Sequence, residues 1–276
     1  MPKVYINPRT KRALDRLVKD LPQSLVFTGP EGVGLSSAVG YVAEKLDAKP
    51  IYVLPEKDEK VDLEKGVISV DIIRRLYSMT KTIEKGTRLI VIDYAERMGV
   101  QAQNAFLKLL EEPGKNTHFI LLTHTVSKLL PTILSRVQII EISPITEEQS
   151  DKLLDELAIT EKTRRAQLLF IALGLPAQLT LLTSDEQLFE DRAQIIRDAR
   201  SYLQSRSYDR LRIAFAYKDS REKALLLLLD AMKMLQGSLK SGQNPEQVKK
   251  VSALLEVHER IEANGNVRTQ LSSVEL

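Results

Sequence analysis

Short apolar runs alternate with longer amphipathic stretches through the first half of the chain. Residues 25–28 (LVFT), 51–54 (IYVL), 89–92 (LIVI) and 119–122 (FILL) are bounded by polar or turn residues, as strands buried on both faces are. Between them, residues 36–46, 70–84 and 100–112 place apolar side chains three and four apart, so each predicts a helix with one buried stripe. Strands that alternate with helices imply a parallel sheet covered on both sides. Near residue 146 the pattern changes. Thr146 stands before Glu147, Glu148 and a periodic run through Leu157, the signature of a capped helix, and no further strand pattern follows. Gly174 and Pro176 interrupt one helical segment, and Ser184-Asp185 opens another. Segments 188–205, 207–217, 219–236 and 245–263 carry helix-spaced Leu, Ile and Ala, with a turn expected over 242–245. The expected organisation is an α/β domain over 1–145, a small helical domain over 146–185 and an all-helical bundle over 186–276.

Composition narrows the function classes. At roughly 150 residues per domain, 276 residues give about two domains and an ample core. With no Cys there are no disulfides, thiolate zinc sites or thiol nucleophiles. His118, His124 and His258 are too widely spaced to suggest a metal site. Forty basic and 37 acidic side chains leave +3, too balanced for bulk attraction to nucleic acid or anionic membrane, so any DNA contact has to be local. The charged first twenty residues leave no room for a signal peptide core. The longest aliphatic stretch, 224–229, is far short of the ~20 residues that span a bilayer. A cytoplasmic protein without a membrane partner is expected, with Met79, Met98, Met232 and Met234 serving core packing.

Candidate chemistry begins after the first strand. Gly29-Pro30-Glu31-Gly32-Val33-Gly34-Leu35-Ser36 has the frame of a phosphate-binding loop, G-x-x-x-x-G-K-[ST], with Leu35 in the lysine position. In an intact loop backbone N–H groups cradle the phosphates, the Lys reaches the outer ones and the hydroxyl holds magnesium. Here the cradle and Ser36 remain while the cation is gone, and the loop reads first as a retained fold element. The strand 89–92 then delivers Asp93 to its carboxyl end, where open parallel sheets bind ligands. Tyr94 follows where a hydrolytic site would carry a water-polarising Glu, and Glu96 lies three positions beyond Asp93. Alone, Asp93 would cap the next turn; the two losses together point to disabled catalysis.

Two further blocks carry a family resemblance. Residues 103–113 read QNAFLKLLEEP, and after the strand 119–122 comes Thr132-Ile133-Leu134-Ser135-Arg136-Val137. Over about residues 5–180 the chain resembles the clamp-loader branch of the AAA+ superfamily, and within it the delta-prime subunits of bacterial DNA polymerase III. Those subunits read N-A-L-L-K-x-L-E-E-P and Ser-Arg-Cys; here Phe106 replaces a Leu and Val137 the Cys. The resemblance implies a AAA+ parallel-sheet core, a helical lid and a helical collar that closes a hetero-pentameric ring with ATP-binding subunits and a delta-type subunit. It implies a damaged nucleotide site at Gly29, Gly32, Gly34, Leu35, Ser36, Asp93 and Tyr94, with Thr123 in the region of the polar sensor. It also implies an arginine finger, Arg136 after Ser135, lent to a neighbour's ATP. Relatives often carry a four-Cys zinc module before the Asp strand, which this chain lacks, and residues 174–178 (GLPAQ) lack the sensor Arg of ATP-active relatives. No cofactor is required on this reading, neither zinc nor ATP. The expected role is a non-hydrolysing subunit that helps load a sliding clamp on primer–template DNA. The competitors are an autonomous ATPase with an aberrant loop and a clamp-loader-like adaptor in DNA repair. Arg192, Arg197, Arg200, Arg206, Arg210 and Arg212, interleaved with Asp191, Asp198 and Asp209, read as a solvated helical face rather than a DNA groove reader.

Overall fold

A computed structural model describes residues 4–80, 86–204, 207–239 and 245–274. The chain divides into two compact units, Met1–Thr183 and Ser184–Leu276. Residues 242–244 of the expected turn lie outside the described residues.

The first unit begins with α1 (Pro8–Lys19), capped by the Asn7 side chain with Pro8 at its first position, a placement that matches the fixed φ of proline to the helix. There follow β1 (Ser24–Thr28), α2 (Leu35–Lys45), β2 (Pro50–Val53), a small hairpin of β3 (Glu56–Lys57) and β4 (Lys60–Val61), α3 (Val70–Thr80) and β5 (Arg88–Ile92). Then come α4 (Val100–Glu111), β6 (Thr117–Thr123), the single turn α5 (Pro131–Leu134) and β7 (Gln138–Glu141). The principal sheet runs β2-β5-β6-β1-β7 with every neighbour pair parallel. The four expected strands are its centre and one edge; β7 is a fifth at the opposite edge, and α1 is a helix the pattern had not flagged.

Because strand side chains alternate, the sheet feeds two separate cores. Val26, Ile90, Ile92, Phe119 and Leu121 pack with Ile72, Ile73 and Leu76 of α3 and Phe106 and Leu109 of α4. Leu25, Phe27, Leu89, Val91, Ile120 and Leu122 pack on the other face with Leu14 and Leu17 of α1 and Val39 and Val42 of α2. Phe106, the departure from the family's Leu, meets Phe119 edge to face with ring centroids 5.2 Å apart.

Three helices complete the unit: α6 (Glu147–Glu156), α7 (Lys162–Ala172) and α8 (Pro176–Ser184). As expected, Thr146 caps α6, in a box with Gln149. Residues 146–183 fall within the same compact unit as the sheet. Gly174, at φ +78, has no room for a side chain, since a Cβ would stand 2.4 Å from the Ile145 carbonyl oxygen.

The second unit is helical: α9 (Glu186–Gln204), α10 (Ser207–Ala216), α11 (Arg221–Leu239), α12 (Pro245–Glu262) and a short α13 (Val267–Ser272) beyond the four expected helices. Its own core gathers Ile195, Ala199, Tyr202, Leu227, Leu228, Leu254 and Ile261. Two expectations change here and in α3. Arg192 is buried rather than on a solvated face: it forms a two-pronged ion pair with fully buried Asp230. A buried guanidinium needs such a fork because an unpaired charge inside is costly. Met98 and Met232 are core residues, whereas Met79 lies at the rim of the α3 stripe and is exposed.

Candidate functional site

The carboxyl ends of β1, β5 and β6 gather Gly29 to Ser36, Asp93 and Thr123. Gly29 is required by packing: a Cβ would come within 2.5 Å of the Ile142 carbonyl oxygen. Gly32 and Gly34 have φ of +81° and +94°, conformations that favour glycine, and Gly34 leads into α2 with no side-chain cap. The amino end of α2 is thus an uncapped set of N–H groups, as in phosphate-binding loops, with Ser36 exposed on its first turn. Leu35 is different. Its side chain is buried among the apolar residues between the sheet and α2, so the lysine position supplies packing and no cation. The loop is also tied to the helical segment beyond residue 173, since the Ala177 N–H donates to the Gly32 carbonyl at 3.2 Å.

Asp93 is half-buried, and one carboxylate oxygen accepts from the Tyr94 N–H at 2.9 Å. Burial raises its pKa above the ordinary value, opposed first by that N–H bond, and Glu96 adds to the rise. Tyr94 sits in the left-handed region at φ 53° with the Arg97 guanidinium 4.8 Å from its ring centre. It brings no carboxylate to the site. Glu96 follows in a 3-10 turn and lines a cavity with Ile68, Val70, Met98 and Ala102. Thr123 is buried and accepts from the Thr125 N–H at 3.1 Å. His124, which the spacing of histidines had set aside, shares a hydrogen bond of 2.7 Å with the Gly29 carbonyl and stands near enough to Asp93 to favour its charged form. Only the strand register could have revealed it: Thr28 pairs with Thr123, which puts the next residue beside the loop.

Ser135 and Arg136 are elsewhere. β7 starts at Gln138, paired with Leu25 at the beginning of β1, whereas the phosphate-type loop follows the end of β1. Arg136 therefore stands at the amino end of the parallel strands, opposite the carboxyl ends that carry Gly34 and Asp93. It is exposed, donating to the Thr132 carbonyl at 3.0 Å and pairing with Glu111 at 2.9 Å. The Ser135 hydroxyl also donates to Thr132, at 3.1 Å. The two family blocks thus meet in space, Glu111 from the first steering Arg136 of the second. With both side chains exposed, such a pair adds little stability, so its effect is orientation. Gln103 of the first block is buried and structural: its amide donates to the Met98 and Lys128 carbonyls at 2.9 and 3.0 Å and accepts from the Leu130 N–H at 2.7 Å.

A parallel sheet with a strand-loop-helix phosphate frame, an acidic strand end and an appended helical bundle defines a AAA+ type of module. Residues 44–146 match the family model described as DNA polymerase III, delta subunit. The DNA polymerase III subunit delta' of Haemophilus influenzae is 32% identical over 155 residues, 55% of this chain and 47% of that protein. Replication factor C subunit 3 of Saccharomyces cerevisiae is 28% identical over 148 residues, 51% and 41% of the two chains. Human replication factor C subunit 5 is 29% identical over 169 residues, 60% and 47%. The matches span less than half the length of these three relatives. Among solved structures, a DNA polymerase III gamma subunit-related protein of Thermotoga maritima aligns with TM-score 0.50 and 21% identity over 96% of this chain and 97% of that one. The RuvB Holliday junction branch migration motor of the same organism gives 0.51 and 13% over 96% and 84%; both likenesses concern the fold alone. In sequence the chain is similar to DNA polymerase III delta' subunits and to replication factor C subunits over roughly half of its length.

Proposed function

We propose that the chain is a non-hydrolysing clamp-loader subunit that lends Arg136 to ATP held by an adjacent subunit, while its partners open a sliding clamp and place it on primer–template DNA. The observation that carries this reading is a division between the two ends of the strands. At the carboxyl end of the strands the cation position is filled by buried Leu35 and the position after Asp93 by Tyr94; at the amino end an exposed Arg136 is aimed by Glu111. A guanidinium is always charged and forks onto phosphate oxygens, so Arg136 can stabilise charge on a transferring phosphoryl group across an interface while its own chain transfers nothing. The loop N–H groups and the Ser36 hydroxyl would still cradle a phosphate, without the cation that holds its outer charge.

The test is ATPase activity in complexes reconstituted with the ATP-binding subunits. Arg136→Ala should assemble normally, checked by gel filtration, and lower clamp- and DNA-stimulated turnover. Fingers elsewhere are worth about 10³–10⁵ in rate; the loss here should be smaller because other interfaces keep theirs. Arg136→Lys should rescue poorly, since an ammonium cannot reproduce the fork. Equal rates in assembled complexes would leave Arg136 a structural residue. Turnover by the isolated chain, abolished by Asp93→Asn, would instead favour an autonomous ATPase with Glu96 as its base.

A further inference from the structure

The near-neutral balance of the whole chain conceals a concentrated charge on α1. Five basic residues (Arg9, Lys11, Arg12, Arg16 and Lys19) and one acidic residue, Asp15, leave this helix at +4, against +3 for the entire 276-residue chain. At 100° per residue, Arg9, Arg12, Arg16 and Lys19 fall on one side of α1, directly opposite buried Thr10, Leu14 and Leu17. All four are exposed, and among the described residues none forms an ion pair. The one carboxylate on the helix, Asp15, is turned to the flank, where it accepts from the Tyr41 hydroxyl at 2.5 Å.

This pattern works against the helix that carries it. The cations are neighbours at spacings of three and four, where like charges repel, and Arg9 lies in a first turn that contains no acidic residue, against the helix dipole, while only Arg16 and Lys19 in the last turn suit it. Helix stability therefore does not account for the row as a whole. The rise of about 1.5 Å per residue spreads the row over about 15 Å, enough to follow several phosphates of a duplex. The face offers no apolar wedge, because the apolar side chains of α1 are spent on the core. A membrane-surface helix needs such a wedge, and protein interfaces are centred on apolar and aromatic anchors, which this face does not carry. Nor is a free aromatic available for stacking on bases: the Tyr41 ring is flanked by the Lys11 and Lys45 ammonium groups at 5.8 and 5.7 Å.

We infer that the outer face of α1 is a sequence-independent contact for the phosphate backbone of duplex DNA. The inference rests on charge and geometry alone and is independent of the role given to Arg136. It is tested on the full chain by fluorescence anisotropy with a labelled duplex of arbitrary sequence across a salt series. Arg12→Glu/Arg16→Glu should weaken binding about tenfold or more at low salt, and Arg12→Gln/Arg16→Gln should make the log–log salt slope shallower by about two, close to one per lost phosphate contact. Arg197→Glu/Arg200→Glu, an equal charge change on exposed residues of α9, should alter affinity little. Unchanged thermal melting establishes that the variants are folded. Absence of duplex binding by the wild type, or equal losses in the α1 and α9 variants, would overturn the inference. So would α1-dependent binding to polyglutamate or phosphatidylserine vesicles in place of DNA.

Discussion

At the scale of single residues, the family block around α4 combines one side chain that builds with one that steers. Gln103 satisfies three main-chain groups from two segments with a single buried amide. Gln103→Ala should cost about 2–4 kcal/mol, because each buried group left unpaired carries a desolvation penalty of about 1–3 kcal/mol; urea unfolding measures it. The motif was legible in the sequence, but the division of labour was not, since a buried bridge and an exposed ligand look alike as letters. Asp93 gives a pH-dependent counterpart. Its folded pKa is raised mainly by burial, so the folded state holds its proton more tightly than the unfolded chain, and stability falls as pH rises from the ordinary carboxylate range through the raised value. Asp93→Asn, which keeps an acceptor for the Tyr94 N–H, should therefore be more stable than the wild type at pH 7. The two melting temperatures should converge in acid.

At the scale of elements, the buried strands announced themselves and the peripheral ones did not. β1, β5 and β6 are covered on both faces and read as unbroken apolar runs, whereas β7 (QIIE) has one neighbour and two exposed glutamine and glutamate ends, so neither a run nor a clean alternation survives. α1 was hidden by its charge, although Asn7-Pro8 and the spacing of Leu14 and Leu17 were start and stripe signals. The register between β1 and β7, which separates Arg136 from the loop, lay beyond any local pattern. α6 was legible because its cap is written in adjacent residues. Thr146→Ala removes one arm of the Thr146–Gln149 box and should cost about 1 kcal/mol, read as a lower urea midpoint with an unchanged slope.

At the scale of the whole molecule, each of the two units, divided between Thr183 and Ser184, owns a hydrophobic core. A chain ending after residue 185 should keep a cooperative melt yet lose co-elution with the ATP-binding subunits on gel filtration; retained co-elution would move the main association surface to the first unit. Within the second unit, Arg192→Ala should cost about 3–5 kcal/mol by stranding Asp230, while Arg192→Met/Asp230→Leu should recover most of it, because removing both partners of a buried pair is far cheaper than removing one. In the first unit, the bond from the Ala177 amide to the Gly32 carbonyl has a kinetic corollary. Deuterium can reach that amide only when α8 parts from the loop, whereas the Val33 amide, bonded to the Pro30 carbonyl, is released only when the loop itself unwinds. If the two motions are one event, both amides should exchange with the same opening free energy and respond together to denaturant. Measured side by side, they would time how long the loop and the helix beyond it move as a single body.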